Sequence, residues 1–423
     1  MISSITTRSF FENFKIARIF PTKCYEIRLF SSIVDQTMRS LTIATTLLLF
    51  SPLSHAEVPA AKHSSVAPPA YAATIKVAPF LNILEKYIQS AYDGAEISVD
   101  IDELTTAAGL KDIDTIQHSN RQTGDTWLNT LQLNTKRPQP GIFKLLGPAD
   151  PKLNEPFFAP ASTDIAAQIS LKLGDLPELL TALTEHTGQQ EQAKDLLGQK
   201  IGDSTLKDLL DNNQARLHLA VDFDDKVPFN LGRVQIGRPH VLLRIDGINP
   251  LIEKLIEHYI KTRNVPLKRT EENGQIIYRL PKYLILASAG YLPVITLDTI
   301  SNTTCIASSQ KVLDRVRDSK TTLADDPQFL QTWQEMPAQS SAQFYISKRL
   351  LNSTEQIYLR ALEEEWTDNP TFLAQQPIIS QLIKDLNNSE SGIAFSHVSQ
   401  GGQQIMSLKA PLPSVLILLA LAL

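Results

Sequence analysis

The sequence predicts an α+β fold of two similar units, each a mainly antiparallel sheet covered by helices. Short β-branched or alternating runs are joined by loops of a few residues, which suits antiparallel pairing because parallel strands need long crossovers. Amphipathic stretches with apolar residues at helical spacing lie between these runs. The third observation is a pair of internal echoes. TIKVAPFLNILEKYIQS (74–90) echoes LLRIDGINPLIEKLIEH (242–258) at an offset of 168. APASTDIAAQISLKLGDLPELLTALTE (159–185) echoes MPAQSSAQFYISKRLLNSTEQIYLRALEE (336–364) at an offset of 177, with Ile169 over Ile346, Ser170 over Ser347 and Leu173 over Leu350. Order and spacing agree, so a duplication into units 73–235 and 236–410 is expected.

In the first unit, strands are expected at 96–101, 114–119, 126–134, 163–173 and 215–223. Helices are expected at 80–92, 176–186, 191–199 and 204–211. In the second, a strand at 240–246 leads into a helix at 249–262, whose Ile248, Leu251, Ile252, Leu255 and Ile256 share one face. Four short runs (275–280, 283–290, 292–298 and 303–308) predict an antiparallel meander. Helices follow at 310–318, 327–335, 354–366 and 378–387, interrupted by a strand at 342–348. GIAFSHVSQ (392–400) and QIMSLKA (404–410) predict a hairpin turned by Gly401 and Gly402, which take positive φ without steric cost.

From Met38 the chain reads MRSLTIATTLLLFSPLSHA, with one basic residue (Arg39), an apolar run from Leu41 to Phe50, and small residues at Ser54 and Ala56. This is the pattern of a cleaved export signal, with an apolar run too short to span a bilayer. The expected organisation is an over-extended start (1–37), a signal peptide (38–56) and an Ala/Pro/Ser-rich flexible leader (57–72). A mature N-terminus near Glu57 and a periplasmic or cell-envelope location follow.

The chain carries a net charge of −5 and becomes more acidic once the leader is removed. Without a basic cluster, nucleic acid is a poor partner. Cleavage removes Cys24 and leaves Cys305 alone in NTTCIAS, so no intramolecular disulfide can form and a buried structural thiol is expected. The apolar ending PLPSVLILLALAL (411–423) is shorter than a membrane span. It is open to three readings: a core element, a membrane-surface contact, or the stump of a longer anchor.

No segment carries a catalytic motif. Asp222, Asp224 and Asp225 in AVDFDDK form an oxygen-rich cluster, and alternation puts Asp222 and Asp224 on one strand face, where a hard cation could bind. The calcium-loop spacing is absent, which favours a solvated strand end. Leu217, Leu219, Val221 and Phe223 occupy the opposite face, expected against the core. Asp100, Asp102 and Glu103 suit a helix N-terminus. His63, His118, His186, His218, His240, His258 and His397 show no HxH, HxxxH or HExxH spacing. Ser204 with Lys207 and Ser308 with Lys311 make SxxK spacings without the accompanying elements of the lactamase pattern. Trp127 and Trp333 are expected in the core, and Trp366 at a helix end.

The strings GLKDIDTIQHSNRQTGDTWLNTLQLNT (109–135), GIFKLLG (141–147) and YLPVITLDTISNTTCIASSQKVLDRVRDSKTTLADDPQFLQTWQEMPAQSSAQFYIS (291–347) resemble uncharacterised exported bacterial proteins built on a duplicated α+β unit. The resemblance covers about 73–410 and implies no functional residue. The function expected is non-enzymatic binding of a lipid, another apolar ligand or an envelope protein, or a structural role, with no cofactor. The alternative is an envelope hydrolase whose site is assembled from dispersed Asp, Glu and His.

Overall fold

The structure is a computed structural model. It describes residues 71–79, 101–147, 159–186, 189–211, 213–231, 234–263, 266–272, 274–280, 291–337, 340–353 and 387–411, with a few isolated positions between them. The expected signal, His63, residues 96–100 of the strand expected at 96–101, the run 283–290, most of the helices 80–92, 354–366 and 378–387, Trp366 and residues 412–423 of the apolar ending lie outside the described residues, and Ile101 opens a helix instead of closing a strand.

Thirteen strands form one antiparallel sheet. The first half of the chain contributes β1 (Tyr71–Lys76), β2 (Ile113–Thr123), β3 (Thr126–Thr135) and β4 (Ile165–Lys172). The two-residue strands β5 (Lys200–Ile201) and β6 (Ser204–Thr205) pair separately, and β7 (Gln214–Leu231) forms a long hairpin with β8 (Val234–Asp246). Then come β9 (Lys268–Glu272), β10 (Gln275–Arg279), β11 (Val294–Asp298), β12 (Thr303–Ala307), β13 (Ala342–Ile346), β14 (Ile393–Gln400) and β15 (Gln403–Ala410). The spatial order is β1-β2-β3-β15-β14-β13-β4-β7-β8-β12-β11-β10-β9. The helices that accompany them include α1 (Ile101–Ala107), α2 (Leu176–Glu185), α3 (Gln190–Gly198), α4 (Leu206–Leu210), α5 (Asn249–Arg263), α6 (Gln310–Asp318) and α7 (Pro327–Trp333).

Local chemistry accounts for several of these boundaries. Asp102 and Glu103 occupy the first turn of α1, where acids complement the helix dipole. Thr205 and Asp208 form a reciprocal capping box on α4. Asp326 caps α7, with Pro327 opening it. Gly401 and Gly402, at φ 56° and 82°, turn β14 into β15 as expected.

The sheet has two unlike faces. On the front, which carries Ala167 and Phe344, α2–α5 pack Leu197, Leu209, Leu210 and Leu251 onto the β7/β8 end. Farther along, Ile252, Ile256 and Ile260 of α5 cover Ile276, Tyr278 and Leu297. At the other front end, Leu81, Leu110 and Phe143 cover Leu131, Leu133 and Met406. On the back, α6 and α7 bring Val312, Phe329 and Trp333 onto Ala166, Ala220, Leu242, Ala307 and Tyr345. Lys409 of β15 anchors α7 by donating to the carbonyls of Gln331 (2.9 Å) and Gln334 (3.0 Å), an ammonium placed at the helix's negative end.

Two expectations are corrected. Two separate sheets were expected, yet one continuous sheet is found, because β4 hydrogen-bonds to β13 and β3 to β15 across the halves. The strands preceding the helices at 80–92 and 249–262 were expected in equivalent places. β1 is an edge strand with β2 as its neighbour, whereas β8 is interior, between β7 and β12. The extra length of β7 and β8 was also missed. Asp224, Asp225, Pro228, Gly237 and Pro239 resemble loop punctuation, but the pairing continues past them through a register shift between Asp224 and Pro228. The strands at 275–279, 294–298 and 303–307 do form the expected antiparallel meander, with β9 added at its edge.

Asp164, 1 % exposed, clasps the central strand pair. Its carboxylate accepts from Arg349 Nε (2.9 Å) and Nη2 (2.7 Å), from Ser347 Oγ (2.7 Å) and from the Phe223 amide (3.0 Å). Its carbonyl accepts from the Ser347 amide (2.7 Å), so one residue ties β4, β7 and the end of β13. Arg349→Leu would strand this buried carboxylate. The expected loss is about 3 kcal/mol in urea unfolding, the lower end of the range for a broken buried pair because Arg349 is half exposed. Asp164→Asn should cost less, since the freed guanidinium can turn to water, and Arg349→Leu/Asp164→Asn should recover part of the loss of Arg349→Leu.

Candidate functional site

The acidic residues on β7 stand among basic partners. Asp222 lies on the back face and binds Arg315 of α6 at 2.6 Å. Burial pushes its carboxyl above the ordinary value, against the attraction of that guanidinium. Asp224 Oδ2 stands 3.8 Å from His240 Nε2, and Asp225 is exposed. Among the described residues no group of three His, Cys, Asp or Glu side chains is placed to hold a metal ion.

His218 faces a different carboxylate from the one its strand suggested. Its Nε2 lies 3.2 Å from Asp246 Oδ2, while Asp246 Oδ1 accepts from Arg244 Nε (2.8 Å) and Thr303 Oγ1 (2.7 Å). Burial opposes the charge of Asp246. The hydrogen bonds from His218, Arg244 and Thr303 outweigh it and hold the carboxyl well below its usual range. Cys305 sits on the same face opposite Arg244, and burial pushes its thiol up to about 11, which fits a structural role.

The remaining histidines are dispersed. His118 lies on β2, where burial lowers its pKa, and His186 caps α2. His258 lies on α5. His397, 3 % exposed, stacks on Phe143 and shares a 3.1 Å hydrogen bond with Gln404. Ser308 Oγ accepts from the Val241 amide, so that SxxK serine serves the backbone. A polar depression of about 470 Å³ is lined by Lys172, Gly174, Asp175, Asp211, Asn213 and Gln214.

The feature that gathers the most side chains lies on the front face. Register places Leu243, Leu219, Ala167, Phe344, Phe395 and Leu408 side by side across β8, β7, β4, β13, β14 and β15. Val241, Val221, Ile165, Ile346 and Ile393 form the row beside it. All eleven are half-buried, and none belongs to the core clusters formed by the described residues. They make an apolar trough across the sheet between its two helix-covered ends. This corrects the expectation for Leu219 and Val221, which face the trough instead of a closed core. The alternation of these strands was legible, but only the register shows that six apolar stripes align.

Asp246 supplies a pH dependence. A carboxyl with a depressed folded pKa stabilises the fold above its unfolded value of about 3.9, and that contribution is lost as pH falls through the folded value. Stability should therefore decline below about pH 4. Asp246→Asn should lower stability at neutral pH and flatten that acid decline, as read from urea midpoints between acidic and neutral pH.

Among the described residues no helix is long and apolar enough to cross a membrane. Compared with protein-family models, curated proteins and solved structures, the chain matches none of them.

Proposed function

We propose that this chain is an exported, non-enzymatic cell-envelope protein that binds an apolar ligand, such as a lipid acyl chain, along the front-face trough. The observation that carries the reading is the alignment of half-buried apolar side chains through Ala167 and Phe344. Contiguous apolar surface left only half covered is costly in water and marks a place where another apolar surface lies. The small side chain of Ala167 beside Phe344 leaves the middle of the trough low. The Met38–Ala56 pattern supports export, and cleavage before Glu57 is part of the proposal.

We also propose that the two halves arose by duplication at the 177-residue offset. Outward from the central β4/β13 pair, the strand order repeats as a single strand, a hairpin and a second hairpin on either side. The backbone bonds repeat with it. Asp164 N donates to Val221 O as Ser341 N donates to His397 O, and Ser347 N donates to Asp164 O as Ser170 N donates to Ser341 O. Ala167 pairs directly with Phe344, its counterpart at that offset.

Native mass spectrometry after gentle extraction should show a co-purified apolar adduct. Ala167→Glu should abolish it and weaken binding of an apolar fluorescent probe by about tenfold or more, since a charge in an apolar site is costly. A clean apo mass, with probe binding unchanged by Ala167→Glu, would remove the trough as the site. N-terminal sequencing of envelope-recovered protein should begin at Glu57; an uncleaved Met38 would defeat the export assignment.

A further inference from the structure

The back face of the central strands carries a buried patch of hydrogen-bonding side chains. Register aligns Ser396 of β14, Gln343 of β13, Gln168 of β4 and His218 of β7 in one row. Ser396 is 0 % exposed, Gln168 2 % and Gln343 5 %. Ser341, 0 % exposed, lies just before β13, two residues from Gln343. Four neighbouring strands place the row ends roughly 14 Å apart at the normal strand spacing.

Several of these groups lack a hydrogen-bond partner among the described residues: Gln168 Oε1, Ser341 Oγ, Ser396 Oγ and His218 Nδ1. A buried polar atom left unpaired costs about 1–3 kcal/mol, so native proteins keep such atoms few and scattered. Here they collect on adjacent strands. The neighbouring row, Ala166, Ala220 and Leu242, is sealed by α6 and α7, so the change from apolar packing to polar surface is abrupt.

We propose that this patch binds the hydroxyl groups of an uncharged molecule, supplied either by a chain of bound waters or by one small polyol. The unpaired set contains an amide carbonyl, two hydroxyls and an imidazole nitrogen, which together donate to and accept from hydroxyls. The charges flanking the row are Arg244, bonded to Asp246 at 2.8 Å, and Arg216, which register sets opposite Asp246, so they lie beside one another and not over the row. A row of about 14 Å is longer than one water and matches either several waters or a small carbohydrate-like chain. The site lies on the opposite face from the apolar trough and does not depend on it.

Apolar replacement separates a filled patch from a dry one. If a bound molecule satisfies these atoms, Ser396→Ala, Ser341→Ala and Gln168→Met each lose a bond and lower the urea midpoint of the full chain. The paired variant Ser396→Ala/Gln168→Met should fall by less than the sum, because both residues hold the same molecule. If the atoms are simply unpaired, removing them relieves a penalty, and midpoints that stay level or rise in all three variants overturn the proposal. A high-resolution crystal structure from polyol-free solution distinguishes the sources. Bridging density with an apo native mass identifies water, and a constant small adduct identifies the polyol. Serine and glutamine side chains bonded to one another, with no bridging density, would overturn both.

Discussion

The structure depends on the pairing of β4 with β13, closed at one end by Asp164. Each half contributes strands that would otherwise end in an open edge at this seam. Backbone hydrogen bonds join them, but a ladder alone does not fix which residue faces which. The buried carboxylate does, because it requires Arg349, Ser347 and the Phe223 amide together. A slip of one residue would also exchange the two faces of β4, moving Ile165 and Ile169 to the back and Gln168 to the front. The ion pair is therefore best understood as a register lock. Its electrostatic gain is largely offset by the desolvation of Asp164.

That lock maintains an unusual distribution of polarity. In an ordinary half-buried sheet, alternation sends apolar residues to the covered face and polar ones to water. At the centre of this sheet the apolar members of the alternation are half-buried in a trough, while glutamine and serine are buried behind them. Toward the ends the usual pattern returns, with leucine and isoleucine under α2–α5 on the front. At the seam the polarity rule is thus inverted along the Gln168 and Gln343 row, while the adjoining Ala166 and Tyr345 row keeps it beneath α6 and α7.

This inversion explains what could be read from the sequence. Strand and helix positions were legible because alternation and helical spacing are local properties; α2, α3, α5 and α6 fall within a residue or so of their expected bounds. Face assignment was not legible. Leu219 and His218 alternate as in any amphipathic strand, and nothing local says which side will be covered. The union of the halves was hidden for the same reason, since Ile169 facing Ala342 is a pairing at long range. Asp164 left little signal in STDIAAQ, and its partner Arg349 sits far downstream. Of the residues singled out for chemistry, Asp222 and Asp224 were visible as a cluster, but the fold gives each a separate partner.

The position of β15 has a consequence for how the chain assembles. It lies between β14 and β3, and Asn129 Nδ2 reaches the carbonyl of Leu408 across 279 residues. The β1–β2–β3 group, made early during synthesis, joins the sheet through a strand made near the end of the described chain. Pairings of such high sequence separation close large loops and slow folding. Until β15 is present, β3 is an unprotected edge able to pair with another chain. Completion is consequently governed by the C-terminal hairpin, and a nascent or truncated chain lacking β15 has its greatest tendency to associate wrongly at the N-terminal strands.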